Sequence, residues 1–410
     1  MSEFHGPPPG SGLPALIARR LLPPGGPAVA DVWIQGVSVG EVELAHTLVL
    51  ALRSRRPALS LLVTSSTPAG VGLLGKRFRD LTPPARLQPF PLDLPLSVRR
   101  LLDSAAPRLL VLVETELWPV LLRAAGRRAL PVLVANGRLS ERSVRRLRAA
   151  GRFFRAPLAA LSAVSARTPE DAGRFASIGV PEDRIHVAGD MKFDRPLPPE
   201  PEFAARVRSL AAGRPILVAG SIAEEELDLV LSLPRSLARS AGAAPFLLLA
   251  PRRPETWDAA ARLAVAAGLG LARRSDPVYS GPADVFLLDT IGELASAYRL
   301  GDVALLGGTF GTRGGHNVLE PLLAGLPVVL GPSISTIRRT VEAAGEAAVG
   351  VGGAEEASSA IARLLTDPPA RAAACAAAQA LFALHRGATE RTARLALDLL
   401  DGHGTDRWPA

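Results

Sequence analysis

A chain of 410 residues exceeds what one ordinary hydrophobic core serves and points to two domains of about 200 residues each. With 48% apolar and 21% charged residues it is neither disordered nor membrane-embedded, and the single cysteine, Cys375, excludes an internal disulfide and fits a reducing compartment. The net charge of +8 comes almost wholly from arginine, Lys76 and Lys192 being the only lysines; it favours anionic partners, and the dispersed arginines, with no stacking aromatics beside them, argue against nucleic acid.

Residues 1–30 read as a flexible arm. The apolar run from Leu13 to Leu22 is broken by Pro14, Arg19 and Arg20 and flanked by proline and glycine. No stretch of the chain reaches the roughly 18–20 apolar residues that span a bilayer, so the default location is cytoplasmic. From residue 31, short apolar runs alternate with segments of helical spacing. Strands are predicted at 32–37, 60–64, 109–114, 131–135 and 160–165, with helices at 41–53, 117–128 and 168–178 among their partners. Near-continuous apolar strands alternating with helices imply a parallel sheet covered on both faces.

The pattern breaks at 194–201, where Pro196, Pro198, Pro199 and Pro201 forbid regular structure. This divides the chain into an arm (1–30), a first Rossmann-like domain (31–194), a linker (195–201) and a second Rossmann-like domain with terminal helices (202–410). Strands at 216–219, 246–250, 285–288, 303–306 and 327–330 build the second sheet, and helices at 369–384 and 389–400 follow it. The α/β class and two doubly wound sheets facing across a cleft describe the GT-B architecture of glycosyltransferases. Ligands of such sheets bind beyond the carboxyl ends of the strands, so function is expected in the strand-to-helix loops.

The first such loop, Gly-Val-Ser-Val-Gly-Glu at 36–41, sets Glu41 in the first turn of a helix. That carboxylate either complements the helix dipole or acts as a general base. Glu43 and His46 have a metal-like spacing without a second ligand set, and no HExxH, CxxC or DxD-like cluster occurs, so no metal is expected. The run at 70–77 matches GxGxxG and nearly a P-loop, but Arg77 stands where a P-loop needs Ser or Thr. Its expected role is a helix packed closely on the sheet.

Glu114 and Glu116, with Trp118, end an apolar strand, and carboxylates there are expensive unless solvated or employed. In the next loop Ser140 reads as a helix cap. In the second domain Arg252 follows a strand and suits a phosphate, and 289–293 can cap a helix or touch a ribose. Glycines at 307, 308, 311, 314 and 315 are expected to bring amides to a phosphate ahead of a helix N-terminus, with Glu320 near the ribose hydroxyls.

Six ordered segments carry a resemblance. They are Val-Ser-Val-Gly-Glu at 37–41, residues 64–70 with Thr67 and Pro68, Glu-Thr-Glu-Leu-Trp-Pro at 114–119, Arg-Leu-Ser-Glu-Arg-Ser at 138–143, Lys-Phe-Asp at 192–194, and Gly-Gly-His-Asn at 314–317 with Leu-Glu-Pro at 319–321. Over residues 31–400 the chain resembles the transferases of 3-deoxy-D-manno-octulosonic acid (Kdo). The resemblance implies an inverting enzyme of lipopolysaccharide biosynthesis that moves Kdo from CMP-Kdo to a lipid A precursor without a metal. Glu41 would be the general base, and Glu114 and Lys192 would support the transition state. Pro251, Arg252, Ile291, Gly292, Glu293, Asn317, Val318, Leu319 and Glu320 would contact CMP. It further implies a peripheral position on the cytoplasmic face of the inner membrane. Members usually begin with an apolar anchor, and residues 1–30 show none, so either the protein docks through basic surface and apolar patches or the start of the sequence is incomplete. Departures fall in the second domain: Ile222 and Ala223 for Thr-His, Arg253 for His, and Ser333 and Thr336 for His and Asn; Asp190 in the first replaces Asn. The competing readings are a GT-B transferase or epimerase for another nucleotide sugar, and a binding protein that kept the fold and lost the chemistry.

Overall fold

The computed structural model describes residues 13–24, 29–242, 244–279 and 281–402. In chain order, the first half forms α1 (Leu13–Leu21), β1 (Val32–Gly36), α2 (Val39–Arg55), β2 (Leu61–Ser65), α3 (Pro68–Arg77), β3 (Arg86–Pro89), α4 (Pro95–Ala105), β4 (Leu109–Val113), α5 (Pro119–Arg127), β5 (Val132–Gly137), α6 (Glu141–Ala149), α7 (Arg152–Ala159), β6 (Ala163–Ala166), α8 (Pro169–Ser177) and β7 (Ile185–Val187). These strands make one seven-stranded sheet in the order β3-β2-β1-β4-β5-β6-β7, and every pairing is parallel.

Successive residues of β1 serve opposite cores. Val32 and Ile34 pack with α2 and α3 side chains such as Leu48 and Leu74, while Trp33 packs with Phe90, Leu101 and Leu121 on the other face. That two-sided burial is why β1 opens on three successive apolar residues, Val32, Trp33 and Ile34, and each large side chain so buried contributes about 2–3 kcal/mol.

The second half continues with α9 (Ala204–Ala211), β8 (Ile216–Ile222), α10 (Leu227–Ala241), β9 (Phe246–Pro251), α11 (Trp257–Ala266), β10 (Leu271–Arg273), β11 (Val285–Leu287), α12 (Leu294–Ala297), β12 (Val303–Leu306), α13 (Leu319–Leu323), β13 (Val328–Leu330), α14 (Arg338–Ala344), β14 (Ala348–Gly350), α15 (Ala354–Thr366), α16 (Pro368–His385) and α17 (Ala388–Leu400). Its parallel sheet has the order β10-β11-β9-β8-β12-β13-β14. Leu217, Leu247, Leu287 and Leu305 line one core face against α10, α11 and α15.

The chain divides into residues 1–195 with 385–410, and 196–384. Two boundaries differ from the reading of the sequence. The assignment of 202–410 to the second domain is corrected by α17, which returns to the first unit. Its face of Ala388, Ala393, Leu395, Ala396 and Leu400 joins the core under α2, and Ser165 and Thr392 share a buried hydroxyl bond of 2.7 Å. Arg55 at the end of α2 and Arg56 just after it pair with Glu390 and Asp401.

The arm is likewise not wholly flexible. Residues 1–12 and 25–28 lie outside the described residues, but 13–21 form α1, held where Arg20 Nε donates to Phe90 O (2.9 Å) and Ser97 Oγ to Leu21 O (2.6 Å). The 70–77 run lies within α3, capped by Thr67. A Cβ on Gly70 would lie 2.2 Å from Ser65 Oγ, so glycine there serves close packing on the sheet.

Candidate active site

In each sheet the strand order reverses once, and at such a switch point the loops part and leave a crevice beyond the strand ends. In the first unit this falls between β1 and β4, paired with Gln35 opposite Leu112, so Val37 and Glu114 leave the sheet side by side. A side chain at Gly36 would sit 3.0–3.1 Å from Glu41 atoms; its absence lets α2 begin immediately over the strand end. Glu41, in the first turn of α2, folds back on its own helix start. Its carboxylate accepts from Val37 N (2.5 Å) and Ser38 Oγ (3.1 Å). Both donors are neutral. Burial raises the Glu41 pKa above the usual carboxylate range and the charge of Glu114 adds to this, against the pull of the Val37 amide.

Glu114 differs from its neighbour. It is 7% exposed, takes the left-handed backbone conformation (φ 63°) uncommon outside glycine, and is held between two cations. Lys192 Nζ lies 2.8 Å from Oε1 and Arg138 Nε 3.1 Å from Oε2. The turn bearing Lys192 is fastened from several sides. Asn136 Oδ1 accepts from Met191 N (2.8 Å) and Asp190 Oδ1 from Lys192 N (3.0 Å). The Asp194 carboxylate caps α17 through Gly387 N (2.7 Å) and Thr389 N (2.5 Å). Asp190 is matched by Arg167 at 3.2 Å.

Glu116 has Trp118 Nε1 donating to its Oε2 at 2.7 Å. Burial first, then the charge of Glu41, pushes its pKa up to about 8, so at neutral pH Glu116 carries a proton. The unfolded chain releases that proton near 4.5, so its contribution to stability is complete below that pH and is lost as pH rises to about 8 and beyond. Glu116→Gln should therefore match the wild-type melting temperature at a pH of about 4 and exceed it at about 9. Melting curves that stay parallel across this range would refute the assignment.

In the second unit the switch point lies between β8 and β12. All nine positions matched to CMP contacts lie at or beyond the carboxyl ends of β9, β11 and β12. Arg252 is exposed, its amide bonded to Ile222 O (2.8 Å), and its charge acts on His316. Glu293 is not free: Arg274 Nη2 holds it at 3.0 Å, and Thr290 donates a hydroxyl bond. Gly292 has a positive φ and Ile291 is 81% exposed. Asn317 Nδ2 donates to Glu320 Oε1 (2.8 Å), while its Oδ1 accepts from Leu319 N (3.1 Å). Pro251 closes β9, and Val318 is buried.

One expectation is corrected here. Many amides of the glycine-rich stretch are already spent inside the protein: Gly307 N on Gly220 O (2.9 Å), Gly308 N and Phe310 N on Glu226 (2.8 and 2.9 Å), Gly314 N on Ser333 Oγ (3.1 Å) and Gly315 N on Gly308 O (2.8 Å). Thr336 Oγ1 also donates to the carbonyls of Gly314 and Gly315 (2.8 and 2.9 Å). Ser333 and Thr336 thus close the loop on itself. The helix that follows, α13, has only five residues, and its first amide is taken by Asn317, so its dipole is a small resource.

Two supporting residues carried no signal in the sequence. Asp93 accepts from Val120 N (2.9 Å) and Leu121 N (2.8 Å), capping α5 from another strand's loop and steadying the 114–118 turn. Glu226 sits in an acidic Glu-Glu-Glu run that looks like a solvated helix start, yet is buried.

Two parallel seven-stranded sheets, each with polar residues gathered at its switch point, define a two-domain α/β protein of the GT-B type. A family model for 3-deoxy-D-manno-octulosonic-acid transferase (kdotransferase) matches residues 15–195. The transferase of that name from Bordetella pertussis is 37% identical over 92% of this chain and 90% of its own length, and the one from Haemophilus influenzae 33% over 74% and 71%. The chain belongs to the Kdo transferase family. A crystal structure of UDP-GlcNAc 2-epimerase from Neisseria meningitidis bound to UDP-GlcNAc covers 91% of this chain and 100% of its own at a TM-score of 0.59 and 12% identity, a likeness of fold alone. Among the described residues no helix is long and apolar enough to cross a membrane.

Proposed function

We propose that this protein transfers Kdo from CMP-Kdo to a sugar hydroxyl of a lipid A precursor, with inversion at the anomeric carbon. The observation that carries the reading is the unequal treatment of adjacent carboxylates at the first switch point. Glu114 is ion-paired with two cations, Glu116 keeps its proton at neutral pH, and Glu41 is bonded only to neutral donors. Environments that split neighbouring carboxyls in this way mark the assignment of base and support.

Glu41 takes the proton of the acceptor hydroxyl. The acceptor oxygen forms its bond to the anomeric carbon as the bond from that carbon to the CMP phosphate oxygen breaks, and the electron pair leaves with CMP. Lys192, fixed by Glu114, supplies positive charge to the reacting sugar, whose own carboxylate is anionic; a protonated Glu116 avoids repelling it. Arg252 and the amides left in the 311–318 stretch would receive the phosphate charge, with no metal expected. The names borne by the family's members support transfer of Kdo. An arginine-rich surface, including exposed Phe153 beneath the Arg123 guanidinium at 4.2 Å, supports a peripheral place at the cytoplasmic face of the inner membrane, where such an acceptor resides.

Incubating the purified protein with CMP-Kdo and a tetraacyl disaccharide precursor should yield, by mass spectrometry, acceptor enlarged by Kdo together with free CMP. An unchanged acceptor, or turnover of UDP-GlcNAc in its place, would defeat the proposal.

A further inference from the structure

Glu226 is 2% exposed, and among the described residues it has no ion-pair partner within reach. Its carboxylate is instead solvated by backbone. Oε2 accepts from Ala223 N (2.9 Å) and Gly308 N (2.8 Å), and Oε1 from Phe310 N (2.9 Å). An ionised carboxylate is costly to bury unless its lone pairs are filled, and three amides fill them. These amides come from the two loops that part at the second switch point, after β8 and after β12. The two strand ends are packed backbone on backbone: a Cβ on Gly307 would lie 2.2 Å from Ser221 O.

The turn is pinned from its other side as well. Buried Thr309 donates from Oγ1 to Leu306 O (2.6 Å) and accepts there from Gly331 N (2.8 Å), while its carbonyl accepts from Ser333 N (2.9 Å). Beyond this pinned segment Thr312, Arg313 and Asn317 are exposed, while His316 and Glu320 are half-buried.

We propose that Glu226 is a positioning residue of the donor site: by binding the Gly308 and Phe310 amides it presets the glycine-rich turn, so that the 311–320 stretch meets the nucleotide without reorganising. This rests on the reading that CMP binds at 251–252, 291–293 and 317–320. A preset turn raises affinity by removing an ordering cost at the moment of binding, and its loss should fall on the donor alone.

In full-length protein, Glu226→Gln keeps the shape but turns an NH2 group toward backbone N–H donors. The CMP dissociation constant and the KM for CMP-Kdo should rise about tenfold or more, with the acceptor KM unchanged. Hydrogen exchange at Gly308 and Phe310 should speed up. A folded variant whose CMP affinity and donor KM stay within about twofold of wild type overturns the proposal, as does an acceptor KM that rises in step.

If the variant does not fold, exchange in the wild type decides. Protection of both amides before CMP is added supports the proposal; free-peptide rates that slow only with CMP overturn it. Wild-type protein that binds no CMP sinks the donor reading and this proposal with it, whereas normal wild-type binding with an unchanged variant sinks this proposal alone.

Discussion

Replacing Glu41 by glutamine is expected to lower kcat for Kdo transfer by about 10²–10⁴-fold, the usual range for losing a general base, while the melting temperature moves by only a few degrees. The amide retains an oxygen that can accept from Val37 N, so the start of α2 keeps its closure. What disappears is the ionisable oxygen that the proposed mechanism uses to take the acceptor's proton. Because burial raises the Glu41 pKa, the wild-type rate should also fall on the acid side at a higher pH than an exposed carboxylate would dictate. Initial rates by mass spectrometry, with near-ultraviolet circular dichroism to check the fold, measure both effects. Turnover close to wild type in Glu41→Gln would remove that residue from the base role and turn attention to Glu116.

The second large effect is expected at Lys192. Lys192→Met leaves Glu114 buried with Arg138, itself half exposed, as its remaining cation. A buried carboxylate that loses one of two charge-assisted partners should cost about 1–3 kcal/mol in denaturant unfolding. Removal of the ammonium from the reacting sugar should lower kcat by about 10²-fold or more. The two consequences separate in a double variant. Glu114→Gln combined with Lys192→Met should regain much of the stability, because no unpaired charge stays buried, without regaining the rate. If the single Lys192 variant keeps its rate and loses only stability, the lysine is a structural partner of Glu114 and nothing more.

Legibility varied with the locality of each interaction. The ten strands expected from apolar runs are the interior strands of the two sheets. The four that escaped, β3, β7, β10 and β14, are the sheet edges. An edge strand needs only one partner and is often short; β7, β10 and β14 have three residues each and part of each is solvated, so none shows a continuous apolar run. β3 is buried but is built from Arg86, Leu87, Gln88 and Pro89, whose polar composition hides it. The close-packing role of Gly70 was legible because Arg77 fails the chemistry of a P-loop. The partners of the glycine-rich stretch were not. Gly308 and Phe310 reach Glu226 across more than 80 residues, and Ser333 closes on Gly314 from the next strand's loop.

Hydrophobic period and loop composition are properties of neighbours in the chain, and from them alone followed the α/β class, the two sheets and the loops that hold Glu41, Glu114 and Arg252; Lys192 entered only through the family resemblance. Folding in three dimensions decided matters of a different kind: that α17 crosses back to the first unit, that Glu114 rather than Glu116 receives both cations, and that Glu116 keeps its proton. Pairing and protonation depend on which charges and amides lie within a few ångströms in space, and those partners are brought together from distant parts of the chain.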